Sequence, residues 1–320
     1  MARAARIFLL SLLSASAVNG SLADLPTKRG LAYLGDEHDA DRELMLSANS
    51  PISWYYTWSL YSSDEIDDTI PFVPLVHGLN DAKSEGLVTQ LSELSTSSTH
   101  LLSFNEPDGS TDSGGSSISP EDAAKSYMSH IAPLRTTTAS RDRKWLVSHP
   151  VVTSSERGLK WLRSFNESCY EIDDNGCPTD FVAVHWYGST DGLVTWLDTL
   201  RDFYNETNPD LQYWITEMAL PKADEDDTVA MMNESLGYLD SQDWVHAYAW
   251  FGAFRAHEAN KWTGDNVSLF DKKGKLTELG ALYLGGEEKG FTAGMSNSGH
   301  HLSPSNLALL GLVSFVVLMM

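Results

Sequence analysis

The chain has 320 residues, 42% of them hydrophobic, which is enough for one large domain or two small ones. A formal net charge of −22 repels nucleic acid and anionic membrane surfaces, so neither is an expected partner. The 10 Trp and 12 Tyr suit stacking on neutral sugar rings, or equally the packing of an aromatic core.

In chain order, Met1–Arg6 carries two arginines and Ile7–Leu13 is a short apolar run. Small residues follow at Ala15-Ser16-Ala17 and again at Ser21-Leu22-Ala23. This is the layout of a secretory signal peptide over residues 1–23, cleaved after 17 or 23, and its apolar run is too short to span a bilayer. Eight apolar, β-branched or aromatic runs come next: Gly30–Leu34, Ile52–Ser59, Ile70–Gly78, Leu101–Asn105, Lys144–Thr153, Asp180–Gly188, Gln212–Leu220 and Val245–Gly252. Each is short and continuous, as strands buried on both faces are. Helix-like stretches separate most of them: Asp39–Ala48, Lys83–Ser97, one opened by Ser119-Pro120-Glu121-Asp122, then Ser154–Asn166, Thr190–Tyr204 and Asp224–Leu239. Leu60–Thr69 is the weak member. Ser119 suits an N-cap, and Pro120 the first helical position.

Alternating strand and helix predicts parallel strands with crossover helices, and eight units predict a single (β/α)8 TIM barrel over residues 24–290. No Gly-x-Gly-x-x-Gly follows any run, so no dinucleotide cofactor is expected. Gly109–Ser119 reads as a flexible loop rather than a linker.

Asn166, Asn205, Asn233 and Asn266 each open an N-x-Ser/Thr sequon and are expected at the surface as N-glycosylation sites. Cys169 and Cys177 are the only cysteines, and an oxidising compartment would join them in a small-loop disulfide. Only Glu171, Asp173 and Asp174 lie between them as further ligands, so no metal site is expected there. At the far end, Leu307–Met320 is apolar, with the polar stretch Gly299–Asn306 and the small residues Ser296–Ser298 before it. That pattern matches a GPI signal: a linker over 291–297, attachment at Asn297 and a removed propeptide over 298–320. A C-terminal membrane anchor or a buried helix is the competing reading. The run is short for a span and has no basic flank. The expectation is therefore a secreted monomer at the cell surface, touching membrane only through its anchor or fixed to the wall.

Active sites of such barrels sit where strands end and βα loops begin. The fourth run ends in Asn105-Glu106 and the seventh in Thr216-Glu217. Strict alternation groups Glu106 with Phe104 and Leu102, and Glu217 with Ile215 and Tyr213. If those faces point inward, both carboxylates converge on the barrel mouth. Two carboxyl groups across a cleft are what glycoside hydrolysis requires, one protonated and one ionised. A separation of ~5–5.5 Å would indicate retention, and ~6.5–9.5 Å inversion.

The ordered set KRGLAY, ISWYYTW, FVPLVHG, FNEPD, SPEDAA, DFVAVHWYG, YWITEMAL and YAWFG resembles glycoside hydrolase family 128, the fungal alkali-sensitive-linkage type β-1,3-glucanases, from about Lys28 to Leu284. That resemblance implies a retaining β-glucan hydrolase, an endo-β-1,3-glucanase acting on cell-wall glucan without cofactor or metal. Glu106 matches the general acid/base and Glu217 the nucleophile. Asn105 matches the amide that bonds the sugar hydroxyl beside the reacting carbon. His185 and Tyr187 would hold the nucleophile's carboxylate. Trp186 and Trp250 are candidate sugar platforms, with core packing as the alternative, strongest for Trp186, which alternates away from its neighbours. Trp58 and Trp54 are weaker platform candidates. Leu34 and Thr57 stand where the family has asparagine, His77 where it has tryptophan, and Met218 where it has phenylalanine, which leaves the subsites open. The alternative is a GPI-anchored protein that binds or transglycosylates wall glucan with weak hydrolysis. A different β-glycan substrate is a third reading.

Overall fold

The computed structural model describes residues 25–35, 38–136, 143–205 and 208–297. The expected signal peptide and propeptide lie outside them. Seven parallel strands form one curled sheet: β1 (Arg29–Ala32), β2 (Trp54–Tyr56), β3 (His100–Asn105), β4 (Leu146–Val151), β5 (Phe181–Tyr187), β6 (Gln212–Ala219) and β7 (Val245–Trp250). Their order is β2-β1-β7-β6-β5-β4-β3, every pairing parallel. Helices cover the outside: α1 (Asp39–Met45), α2 (Leu79–Ala82), α3 (Leu87–Glu93), α4 (Pro120–Ser126), α5 (Glu156–Ile172), α6 (Thr190–Asn205), α7 (Glu225–Ser241), α8 (Glu278–Tyr283) and α9 (Gly286–Lys289). The stop and start signals act as their chemistry dictates. Ser119 caps α4 by accepting from Asp122 N, with Pro120 at its first position.

The expected third strand, Ile70–Gly78, is not a regular strand among the described residues. Its prolines at 71 and 74 carry no N–H, so a continuous ladder is impossible there. The segment still lies between the two sheet edges. On one side Tyr55 N donates to Pro71 O (3.1 Å) and Val73 N to Tyr55 O (2.9 Å). On the other, Leu102 N donates to Pro74 O and Val76 N to Leu102 O, both at 2.9 Å.

Two apolar layers result. The larger packs the outer sheet face against the helices. The smaller fills the inside of the curl with Trp54, Tyr56, Leu102, Phe181, Trp214 and several alanines. Small residues make room for the large ones: a Cβ on Gly30 of β1 would sit 2.2 Å from the Trp54 ring.

The inner layer corrects the expected strand faces. Tyr213 and Ile215 belong to the outer layer, whereas Trp214 belongs to the inner one. Between the pairs Val184↔Ile215 and His185↔Glu217, β5 advances one residue and β6 advances two. Thr216 is the extra residue of a bulge, and the bulge resets the alternation so that Glu217 turns inward. On β3, Leu102 is inner and Phe104 outer, again across shifts in register, here between Leu101 and Asn105. Strict two-residue alternation therefore grouped Glu217 with two outer-layer residues, and Glu106 with one outer residue, Phe104, and one inner residue, Leu102.

Candidate active site

Glu106 and Glu217 meet at the C-terminal end of the sheet. Glu106 follows the last residue of β3, and its backbone N donates to Val151 O on β4 (2.8 Å). Its φ is +38°, a left-handed conformation that a glutamate adopts only under constraint from its surroundings. Asp108 supplies part of that constraint. Its side chain is 1% exposed and accepts from Thr153 N (2.9 Å), Thr153 Oγ1 and Arg157 Nε (3.2 Å), tying the loop after β3 to the start of α5.

Glu217 is 7% exposed at its side chain and Glu106 15%. Tyr187 OH donates to Glu217 Oε2 (2.5 Å) and Trp58 Nε1 to Glu217 Oε1 (2.6 Å). Tyr56 OH lies 3.4 Å from the same Oε1, with Thr216 O as its nearer acceptor at 3.0 Å. Burial first, then the Glu217 charge, pushes the Tyr56 and Tyr187 phenols well above their ordinary value, so both stay protonated as donors.

His185 lies between the two carboxylates. Its Nδ1 bonds Glu106 Oε1 (2.9 Å), and its Nε2 stands 3.3 Å from Glu217 Oε1. Burial opposes the imidazolium, but the Glu217 charge, the Glu106 hydrogen bond and the more distant Asp108 outweigh it, and the pKa of His185 is raised. An oxygen of Glu106, one of Glu217 and a ring nitrogen of His185 all lie within 4.8 Å of one another. Among the described residues this is the one cluster close enough to hold a metal, but its atoms are engaged with each other and with Tyr187 and Trp58. One oxygen of each carboxylate thus lies within 4.8 Å of the other.

The other expected residues divide between the site and the core. Asn105 donates through Nδ2 to Gly114 O (3.0 Å), while its Oδ1 is buried without a partner. Trp58, expected as a platform, instead donates directly to Glu217, and its φ is +53°. Trp54 is wholly buried inside the curl. Trp250 is 1% exposed in the outer layer, its Nε1 bonded to Val267 O (2.8 Å), so it presents no free face for a sugar. Trp186 packs over Gly188 and Gly192, with its Nε1 on Ser189 O (2.9 Å), and faces the helix layer. Trp262, which sequence reasoning passed over, stands in the loop after β7. It is 54% exposed, with its ring edge-on to Tyr187 at 4.6 Å.

Away from the site, Cys169 and Cys177 are disulfide-bonded. Asn205, Asn233 and Asn266 are exposed, and Asn166 is half-buried. Asn297 donates to Glu43 Oε2 (2.7 Å). No helix among the described residues is long and apolar enough to cross a membrane.

The chain resembles known proteins in sequence and in fold. Over 264 residues the chain is 30% identical to Alkali-sensitive linkage protein 1 of Schizosaccharomyces pombe, covering 80% of this chain but 44% of that protein. Its fold matches a family 128 subgroup VI exo-β-1,3-glucanase from Aureobasidium namibiae (TM-score 0.64, 24% identity, 82% of this chain and 97% of that one). It also matches a subgroup II endo-β-1,3-glucanase from Sorangium cellulosum (TM-score 0.62, 25% identity, 81% and 98%). The family profile described as glycosyl hydrolase catalytic core spans residues 30–283, and the chain belongs to that family.

Proposed function

We propose that this chain is a retaining β-glucan hydrolase, an endo-β-1,3-glucanase, with Glu106 as acid/base and Glu217 as nucleophile. The observation that carries the reading is the pair of inward carboxylates with oxygens within 4.8 Å. The Glu217 oxygen attacks the anomeric carbon while protonated Glu106 gives its proton to the departing glycosidic oxygen. A glycosyl ester on Glu217 results. Glu106, now ionised, takes a proton from water, whose oxygen displaces Glu217 and restores both groups. Tyr187 and Trp58 hold the nucleophile's two oxygens, and Asn105 at the end of β3 bonds a sugar hydroxyl.

The relatives support β-1,3-glucan as the substrate. They include both endo- and exo-acting enzymes, and a related Amycolatopsis mediterranei structure holds laminarihexaose. The proposal extends to a closed eightfold barrel in which Pro71–His77 replaces the missing strand, supported by its hydrogen bonds to both sheet edges. It also extends to a secreted monomer, anchored through Asn297. The bonded cysteines and surface sequons support secretion.

The test is hydrolysis of laminarihexaose followed by NMR. Wild type should release β-anomeric ends first. Glu106→Gln should lower turnover by about 10²–10⁴-fold, and Glu217→Ala should abolish it. Unchanged rates in both variants would overturn the proposal.

A further inference from the structure

Of the four sequon asparagines, Asn205, Asn233 and Asn266 are exposed, whereas Asn166 is half-buried. An N-linked glycan is bulky and hydrophilic, so its attachment point ordinarily faces open water. The surroundings of Asn166 give a reason for the exception.

Asn166 lines a cleft of about 740 Å³. That volume falls within the ~300–1,000 Å³ of pockets that enclose small molecules. The cleft runs between the second halves of α5 and α6 and is walled by the segment that leads into β5. It therefore lies toward the N-terminal ends of the strands, away from Glu106 and Glu217 at their C-terminal ends. On α5 the positions 163, 166, 167 and 170 share one helical face, and all four side chains line the cleft.

Tyr170 supplies a flat wall. It is 43% exposed and rests against Gly176, where an added Cβ would sit 3.2 Å from the ring. The Cys169–Cys177 disulfide ties the loop that carries Gly176 to the helical turn that carries Tyr170. Half-buried Phe203 lines the cleft from α6, and Arg163, Glu167 and Asp202 add charges of both signs. Aromatic surfaces among hydrogen-bonding groups suit a neutral, hydroxyl-rich ring, whose C–H face stacks while its hydroxyls bond.

Tethering adds to the argument. In the secretory pathway a sequon Nδ2 displaces a lipid-linked diphosphate from the anomeric carbon of N-acetylglucosamine and loses one proton. Transfer to the emerging chain precedes folding, so the half-buried place of Asn166 is no obstacle. A sugar already bonded to Asn166 meets the cleft at the roughly millimolar effective concentration of a short linker. It also loses far less translational freedom than a free ligand does. Contacts too weak to hold a free monosaccharide suffice to seat a tethered one.

We propose that an N-glycan on Asn166 is built into the fold, its first N-acetylglucosamine units lying in the α5–α6 cleft against Tyr170. The glycan covers the disulfide loop and serves stability rather than catalysis. The inference rests on the secreted reading.

For the test, the full chain is secreted from yeast and, without glycans, made in a bacterial periplasm. Glycopeptide mass spectrometry reads the occupancy of each sequon. Peptide-N-glycosidase F is then applied to the folded protein. Release from Asn166 should be about tenfold slower than from exposed Asn233, the protection that about 1.4 kcal/mol of seating confers. After denaturation the two rates should match. Tyr170→Ala should remove the difference, and Tyr170→Phe should keep most of it. Asn166→Gln should lower the melting temperature of the secreted protein by about 2–5 °C and leave the periplasmic protein unchanged. Equal release from the two sites, protection that survives Tyr170→Ala, or equal melting losses with and without glycans overturns the seat while leaving secretion intact. So does an empty Asn166 beside occupied sequons elsewhere. Glycans at none of the four sequons overturn the secreted reading, and the seat with it.

Discussion

Trp58 donates its indole N–H to Glu217 Oε1 at 2.6 Å from a backbone held at φ +53°. A non-glycine residue in that conformation costs of order 1–3 kcal/mol and persists only where its surroundings hold it. Here the ring is held by Tyr56 at 4.7 Å and Phe251 at 5.9 Å, so the strain fixes a donor on Glu217. Trp58→Phe keeps the ring and removes the N–H. A hydrogen bond to a charged group contributes about 1.5–3 kcal/mol, so kcat/KM should fall about 10- to 100-fold with little change in melting temperature. Steady-state kinetics on laminarihexaose checks this, and an unaltered rate would show that Tyr187 alone orients Glu217.

The second strained residue, Glu106, leads to a steric prediction. A Cβ on Gly115 would lie 2.6 Å from Glu106 O and 2.7 Å from the Gly109 carbonyl carbon. Backbone atoms cannot give way as a flexible side chain can. Gly115→Ala should therefore displace the Glu106 turn and lower kcat by at least tenfold, about 1.4 kcal/mol in the barrier. A crystal structure of the variant should show the Glu106 carboxylate moved away from His185. Asp108→Ala attacks the same turn from its other side and leaves Thr153 N without its acceptor. It should cost about 1–3 kcal/mol of stability, measured by urea unfolding.

Sequence alone exposed the chemistry of the site better than its mounting. Glu106 and Glu217 stood out because each ends an apolar run, and burial of such runs follows directly from composition. The direction of their side chains was not legible, because a one-residue bulge at Thr216 leaves no mark in hydropathy yet inverts the face. Run three was visible as apolar, but its two prolines decided its hydrogen bonding. Trp250 and Trp58 are both tryptophans near strand ends, and only packing sends one into the helix layer and the other onto Glu217. Trp262 lies outside every run, so periodicity carried no signal for it. The Asp108 partners Thr153 and Arg157 lie 45 and 49 positions away, beyond any local pattern.

His185 should give the site a pH-dependent share of stability. Its folded pKa is raised above 6.5, so the imidazolium is favoured by folding. That stabilisation is fully present below the unfolded value of 6.5 and fades as pH rises through the higher folded value. The difference in unfolding free energy between wild type and His185→Asn should thus be largest near pH 5 and shrink toward pH 9. Urea unfolding at several pH values measures it. A difference that grows with pH would mean that His185 is neutral between the two carboxylates.

His149 and His100 act with the opposite sign, far from the reaction. Burial lowers the His149 pKa to about 4, against the raising effect of its bond to Cys177 O (2.9 Å) and with a smaller lowering by Arg135. Burial, with His246 as the second cause, lowers that of His100 to about 3. Both are neutral in the folded chain and take up protons more readily when it unfolds. Stability is therefore intact above pH 6.5 and falls as pH drops from 6.5 through about 4 for His149 and on toward about 3 for His100. Each pKa unit is worth about 1.4 kcal/mol, so protonation of His149 alone should remove a few kcal/mol by pH 4. His149→Gln can still bond Tyr204 and the Cys177 carbonyl but does not titrate. Its melting temperature should sit below that of wild type at pH 7.5, and the gap should narrow or reverse at pH 4.5. Parallel curves across that range would show that acid unfolding is set by carboxylates elsewhere.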